Sequence, residues 1–156
     1  VAGDRHLVAL LDEVLGQHLG QAGLVLHDEH RRLETRFHRS RPGHADPGFY
    51  ARLEETSAEL ERGLRAGASA AGVEVTVNRV GSMLTVFFAP GPVRDLAGAR
   101  RSDMGRFARW FHGLLARGVY WPPSQFEAAF VSGAHSRDDI ATVVAAAAEA
   151  FGELGG

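Results

Sequence analysis

The 156-residue sequence is 45% apolar and 23% charged, with a formal net charge of −2, which is the composition of one globular domain large enough to bury a core. That balance offers no basic field for nucleic acid or for an anionic membrane. Cysteine is absent, so disulfides and thiolate chemistry are excluded; no run approaches the ~20 apolar residues that cross a bilayer, and a cytoplasmic setting fits.

Residues 1–44 hold six of the eight histidines and no strong strand signal. Leu7, Leu10, Leu11, Val14, Leu15 and His18 follow helical spacing, and Gly20 can end that helix. Asp12 and Glu13 interrupt the stretch, so it is not a signal-peptide core. Leu24, Val25 and Leu26 suit a short strand, while residues 28–38 are too charged to assign. The polar Arg39–His44, with its Pro-Gly, is the predicted linker. It divides the chain into an N-terminal helical and polar segment of unassigned role (1–44) and a domain (45–156).

The second part opens on a helix start, with Asp46 as N-cap and Pro47 at the first helical position. Phe49, Tyr50, Leu53, Leu60 and Leu64 make its apolar stripe as far as about Ala71, and Gly72 can close it. Val73, Val75 and Val77 alternate with Glu74, Thr76 and Asn78 as a half-buried strand. Across the Gly81 turn it can pair as a hairpin with Met83–Phe88. Pro90–Arg101 is expected to be a loop. Ser102 should cap a helix with the inner face Met104, Phe107, Ala108, Phe111, Leu114 and Leu115, interrupted by Gly105 and ended by Gly118. Val119–Trp121 is a predicted short strand, stopped by Pro122-Pro123. Phe126–Ser132 is another, with Phe126, Ala128 and Phe130 on one side and Glu127, Ala129 and Val131 on the other. Ser136 and Asp139 form a predicted capping box ahead of a last helix that buries Ile140, Val143, Val144, Ala147 and Phe151. The fold class is α+β: a small, mainly antiparallel sheet flanked by helices.

Few motifs carry chemistry. His27, Asp28, Glu29 and His30, with His38 and His44 downstream, are the only metal-like cluster, but zinc needs three or four ligands at fixed geometry and neither HExxH nor CxxC is present. The spacing favours a solvated polar segment, and no metal is expected. The arginines from Arg31 to Arg41 are interleaved with acids and suit a surface face. There is no phosphate-cradling glycine loop and no GxSxG elbow.

Several segments in order resemble the C-terminal domain of glutamate-1-semialdehyde 2,1-aminomutase, a class III aminotransferase-like family. They are Pro47–Glu55 (PGFYARLEE), Val77–Phe88 (VNRVGSMLTVFF), Ser102–Tyr120 (SDMGRFARWFHGLLARGVY) and Pro123–His135 (PSQFEAAFVSGAH), followed by Asp138-Asp139-Ile140. The resemblance runs over residues 45–152 and leaves 1–44 aside. It implies the small domain of a fold type I enzyme, whose large domain holds pyridoxal phosphate on a lysine and converts glutamate-1-semialdehyde to 5-aminolevulinate for tetrapyrroles. All 17 basic residues here are arginines. With no lysine, no pyridoxal phosphate is expected to be bound covalently to this chain, and the chain alone is expected to be inactive.

By the same resemblance Glu127, Ser124, Gln125 and Ser82 face substrate. Spacing alone makes Glu127 a solvated strand carboxylate, Ser124 and Gln125 ordinary turn residues, and Gly81-Ser82 a tight hairpin. Arg79 could bind a carboxylate, though a lone arginine is commonly a solvated charge. Two partners are open: a separate large domain that binds pyridoxal phosphate, or a second copy of this chain. Removal from a large domain should uncover apolar groups, with Tyr120, Trp121, Phe87 and Phe88 as the expected contributors. The other reading is a stand-alone, non-catalytic interaction domain derived from an aminotransferase.

Overall fold

The computed structural model describes residues 46–155. The helix expected around Leu7–His18, the strand at 24–26, the histidine cluster, the Arg39–His44 linker and the boundary beside it lie outside the described residues. Those residues form, in order, α1 (Phe49–Ala70), β1 (Thr76–Val80), β2 (Met83–Phe87), α2 (Leu96–Arg100), α3 (Met104–Ala116), β3 (Ala129–Phe130) and α4 (Arg137–Gly152). The strands make one antiparallel sheet in the order β1-β2-β3, so the α+β expectation holds.

Helix α1 starts later than the Asp46-Pro47 signal predicts. The Asp46 carboxylate accepts from Gly48 N at 2.9 Å and its carbonyl from Phe49 N at 3.1 Å. Asp46 therefore caps a turn ahead of the helix, and Gly48 becomes the N-cap. The buried face is Ser57, Leu60, Leu64 and Ala68, whereas Tyr50 is turned to solvent. At the other end Val73 N donates to Ala68 O and Gly72 N to Ser69 O, around Gly72 at φ 66°. Gly118 closes α3 in the same way, at φ 77°. Both are αL caps that a side chain would strain.

The hairpin pairs Val80 with Met83 and Thr76 with Phe87. Beyond that ladder the Thr76 hydroxyl takes Ala89 O at 2.9 Å, so residues 73–75 face no strand and β1 begins at Thr76 rather than Val73. Val73 is buried nonetheless. Directly opposed residues share a sheet face. Val77, Leu84, Val86 and Ala129 form the inner face, buried against α1, α3 and α4. Phe87 lies on the outer face, covered by Val93 and Ala99. Asn78 Nδ2 fastens this cover by donating to Val93 O at 2.7 Å.

The expected loop at 90–101 contains the one-turn helix α2, because Asp95 caps it by accepting from Gly98 N at 2.6 Å. Helix α3 is capped by Asp103 and not by Ser102. The Asp103 carboxylate accepts from Arg106 N at 2.9 Å, while Ser102 is buried and its amide goes to Ala99 O. The inner face turns accordingly to Phe107, Trp110, Gly113 and Leu114, leaving Met104, Ala108 and Leu115 exposed. Trp110 is the centre of the core. It stacks on Phe151 at 5.2 Å and meets Trp121 and Phe88 edge-on at 5.4 and 5.8 Å.

Val119–Trp121 does not join the sheet. Val119 N donates to Leu114 O, and prolines follow at 122 and 123, so the segment packs by burying Val119 and Trp121. The strand expected over 126–132 shrinks to β3. A turn holds Ser124–Glu127 before it, and only Ala129 and Phe130 have ladder partners. The expected alternation survives, but Ala129 and Val131 are the buried side and Phe126 and Phe130 the exposed one. Helix α4 keeps its capping box, Ser136 with Asp139, and buries Ile140, Val143, Ala146, Ala147, Ala150 and Phe151. Small residues bring helices close: Gly63 faces Val144, Gly67 faces Ala148, and Gly113 faces Ala150.

Three of the four expected surface contributors are wrong. Trp121, Phe87 and Phe88 are buried, and Tyr120 is half-buried edge-on to Phe111 at 6.1 Å. Different neighbours bury them: Val93 and Ala99 cover Phe87 on the outer face, while Phe88 and Trp121 pack on Trp110 in the main core.

Candidate functional site

Two prolines hold the chain extended into the turn at Ser124–Glu127. Glu127 N donates to Ser124 O at 3.1 Å, and Ser124 Oγ accepts from Phe126 N at 3.2 Å. Two polar side chains of the turn differ in burial. Gln125 is buried: its Nε2 reaches Ala99 O at 3.5 Å, the limit for a hydrogen bond, and its Oε1 has no partner among the described residues. Glu127 is exposed, while its carbonyl accepts from Thr85 Oγ1 at 3.3 Å. Ser82 stands at the hairpin end, where its carbonyl accepts from Val131 N at 2.9 Å. Val131 lies four residues beyond Glu127, roughly 13 Å of extended chain. The structure thus brings Ser124, Gln125 and Glu127 together on one turn and sets Ser82 apart from them.

An accessible carboxylate at Glu127 can accept hydrogen bonds from an amine or another cation. No neighbouring group forms a nucleophile–base pair with it. Ser132 and His135 superficially make such a pair, with Oγ 3.3 Å from Nδ1. Ser132 N also donates to Nδ1 at 2.9 Å, so that nitrogen's lone pair is taken by the backbone and the pair shapes a turn before α4. Among the described residues no three His, Cys, Asp or Glu groups could hold a metal ion, and no helix is long and apolar enough to cross a membrane.

Arg79 has partners that its spacing did not reveal. It binds Glu61 at 2.7 Å and Glu54 at 2.8 Å, both on α1, and donates to Gly81 O at 2.8 Å. Hydrogen bonds that Arg79 donates to Glu61 and then Glu54 raise its pKa. Burial pushes the Glu61 carboxyl up, but the Arg79 and Arg65 guanidiniums outweigh it and hold that carboxyl below its ordinary range. The carboxylates Arg79 meets are the domain's own, and they pin the hairpin to α1.

No family model matches the chain. Curated relatives do. Glutamate-1-semialdehyde 2,1-aminomutase of Deinococcus radiodurans is 56% identical over 110 residues, which is 69% of this chain and 25% of the relative. The same-named proteins of Sorangium cellulosum and Myxococcus xanthus are 58% and 60% identical, over 67% and 71% of this chain and 24% and 26% of their own lengths. The chain spans about a quarter of the length of the curated relatives it matches. Among solved structures, a transaminase with PLP bound aligns with a TM-score of 0.57 at 19% identity, over 70% of this chain and 24% of its own. The FumI protein of a Sphingopyxis species, in its PLP internal aldimine form, aligns at 0.55 and 26% identity, over 70% and 23%. The helix-flanked antiparallel domain is therefore similar in sequence to about a quarter of glutamate-1-semialdehyde 2,1-aminomutase and similar in fold to part of the PLP-dependent transaminases.

Proposed function

We propose that this chain supplies the C-terminal small-domain part of a glutamate-1-semialdehyde 2,1-aminomutase-like enzyme of 5-aminolevulinate formation, and that it performs no transaminase chemistry alone. One observation carries this reading: identity of 52–60% to such enzymes, over a quarter of their length, in 156 residues without a lysine. Pyridoxal phosphate acts through a Schiff base on an amine and supplies an electron sink. The groups present do not fit it. No lysine occurs, the Gln125 amide is shut in against Ala99, and Ser82 lies apart from Glu127. No step is derived through the cofactor.

Within such an enzyme Glu127 is this chain's contribution to the reaction site, accepting hydrogen bonds from substrate amino groups. The lysine-bearing part has to come from outside these 156 residues, in a longer chain or a separate one. The test is to incubate the purified chain with pyridoxal phosphate and glutamate-1-semialdehyde, with and without a lysine-bearing large domain. The expected result is 5-aminolevulinate only with the large domain, and no borohydride-sensitive absorption band without it. Turnover and such a band from the chain alone would overturn the reading.

A further inference from the structure

We propose that the Leu7–Leu15 stretch of this chain seats on the outer face of the sheet, against the row formed by Val80, Met83 and Phe130. The inference does not rest on the proposed function. Val80 pairs with Met83 and Met83 with Phe130, so the three side chains form one line across the strands. They are 75%, 42% and 60% exposed, because the 89–101 segment covers only the Phe87 end of this face.

The chain's entry lies at the same end of the sheet as the row. A Cβ on Gly133 would lie 2.6 Å from Phe49 Cε2, so the Phe49 ring packs on the backbone three residues beyond Phe130. Val131 N bonds Ser82 O nearby. The 45 residues ahead of Asp46 therefore join the domain at the end of the sheet that carries the row. Those residues include Leu7, Leu10, Leu11, Val14 and Leu15, an apolar stripe two to three turns long if helical.

Area argues against a second copy. At aromatic areas of about 150–250 Å², the row offers on the order of 300 Å². A stable protein–protein interface needs about 800 Å² per partner. A tethered segment needs far less, since its effective concentration is millimolar. Extended, residues 16–45 reach about 100 Å, so length does not restrict the contact.

The chain itself suits the test, having no cysteine and only two methionines, Met83 and Met104. Met104 is exposed on α3, whose N-cap Asp103 binds Phe88 O at the far end of β2. A nitroxide on Glu13→Cys of the full chain should weaken the Met83 methyl signal several-fold and spare Met104. The effect should persist on tenfold dilution and disappear with Leu11→Asp. Equal effects on both methyls, or none on either, would overturn the proposal. Loss of the effect on dilution, with transfer between labelled and unlabelled chains, would also overturn it by making a second copy the occupant.

Discussion

Gly63→Ala should destabilise the domain although alanine is the better helix former. In a helix interior the exchange gains about 1 kcal/mol from propensity. Here the new Cβ would lie 2.3 Å from Val144 Cγ2, 2.7 Å from Cγ1 and 3.1 Å from Cβ. Carbon pairs rest at about 3.5–4.0 Å, so the neighbour has to move by more than an ångström. Turning the Val144 χ1 cannot clear the clash, because both γ-methyls and the branch point are too close. Separating α1 from α4 would open the buried line of Leu60, Leu64, Val143 and Ala147. Overpacking of this kind costs about 1–3 kcal/mol, which leaves a net loss of about 1 kcal/mol and a Tm lower by roughly 4 °C. Gly105→Ala is the control. Its Cβ meets only Asp103 Oδ1 at 3.3 Å and Arg109 Nη1 at 3.9 Å, and it should gain up to about 1 kcal/mol. Urea unfolding of the full chain should move the two midpoints in opposite directions at unchanged m. Val144→Ala added to Gly63→Ala should recover about 1 kcal/mol of coupling. Equal stabilisation by the two glycine replacements, or a cycle without coupling, would refute the close helix approach.

Three further outcomes follow from the polar groups. Ser136→Ala should cost about 1 kcal/mol by removing the α4 capping box, checked by thermal unfolding. The backbone amide of Ser136 is the main group holding the Asp139 carboxyl below its ordinary value of 3.8, against burial and with help from the Ser136 hydroxyl and His135. A depressed folded pKa contributes stability that is present above the unfolded value and lost as pH falls through the folded one, so wild type should lose this contribution below about pH 4. Asp139→Asn should flatten that part of the stability–pH curve, and an unchanged acid limb would contradict the assignment. Arg79→Ala, which leaves Glu61 with Arg65 alone and frees the β1–β2 turn, should cost about 1 kcal/mol and speed hydrogen exchange at Val80–Met83. Exchange as slow as in wild type would show that the arginine does not hold the hairpin.

Elements were legible in the sequence wherever a local rule suffices. The Gly72 and Gly118 caps, the two-residue turn at Gly81 and the Ser136–Asp139 box depend on backbone conformation within a few residues, and all stand in the structure. The ordered segments from Pro47 to Ile140 likewise carried the family resemblance, because residue identity survives without coordinates. Facing was not legible. Trp110, the most connected aromatic, was missed because Met104 and Leu115 are as apolar as the residues that α3 buries; the direction of α4 and Trp121 chooses among them. The candidate site divided in the same way. Ser124, Gln125 and Glu127 lie in one short peptide, yet only tertiary structure buried Gln125, left Glu127 exposed and set Ser82 apart from them. Arg79 changed most, from an apparently free cation to one bound by Glu54 and Glu61, since those carboxylates sit on α1, upstream in the chain, and reach Arg79 only once the hairpin has folded back on that helix.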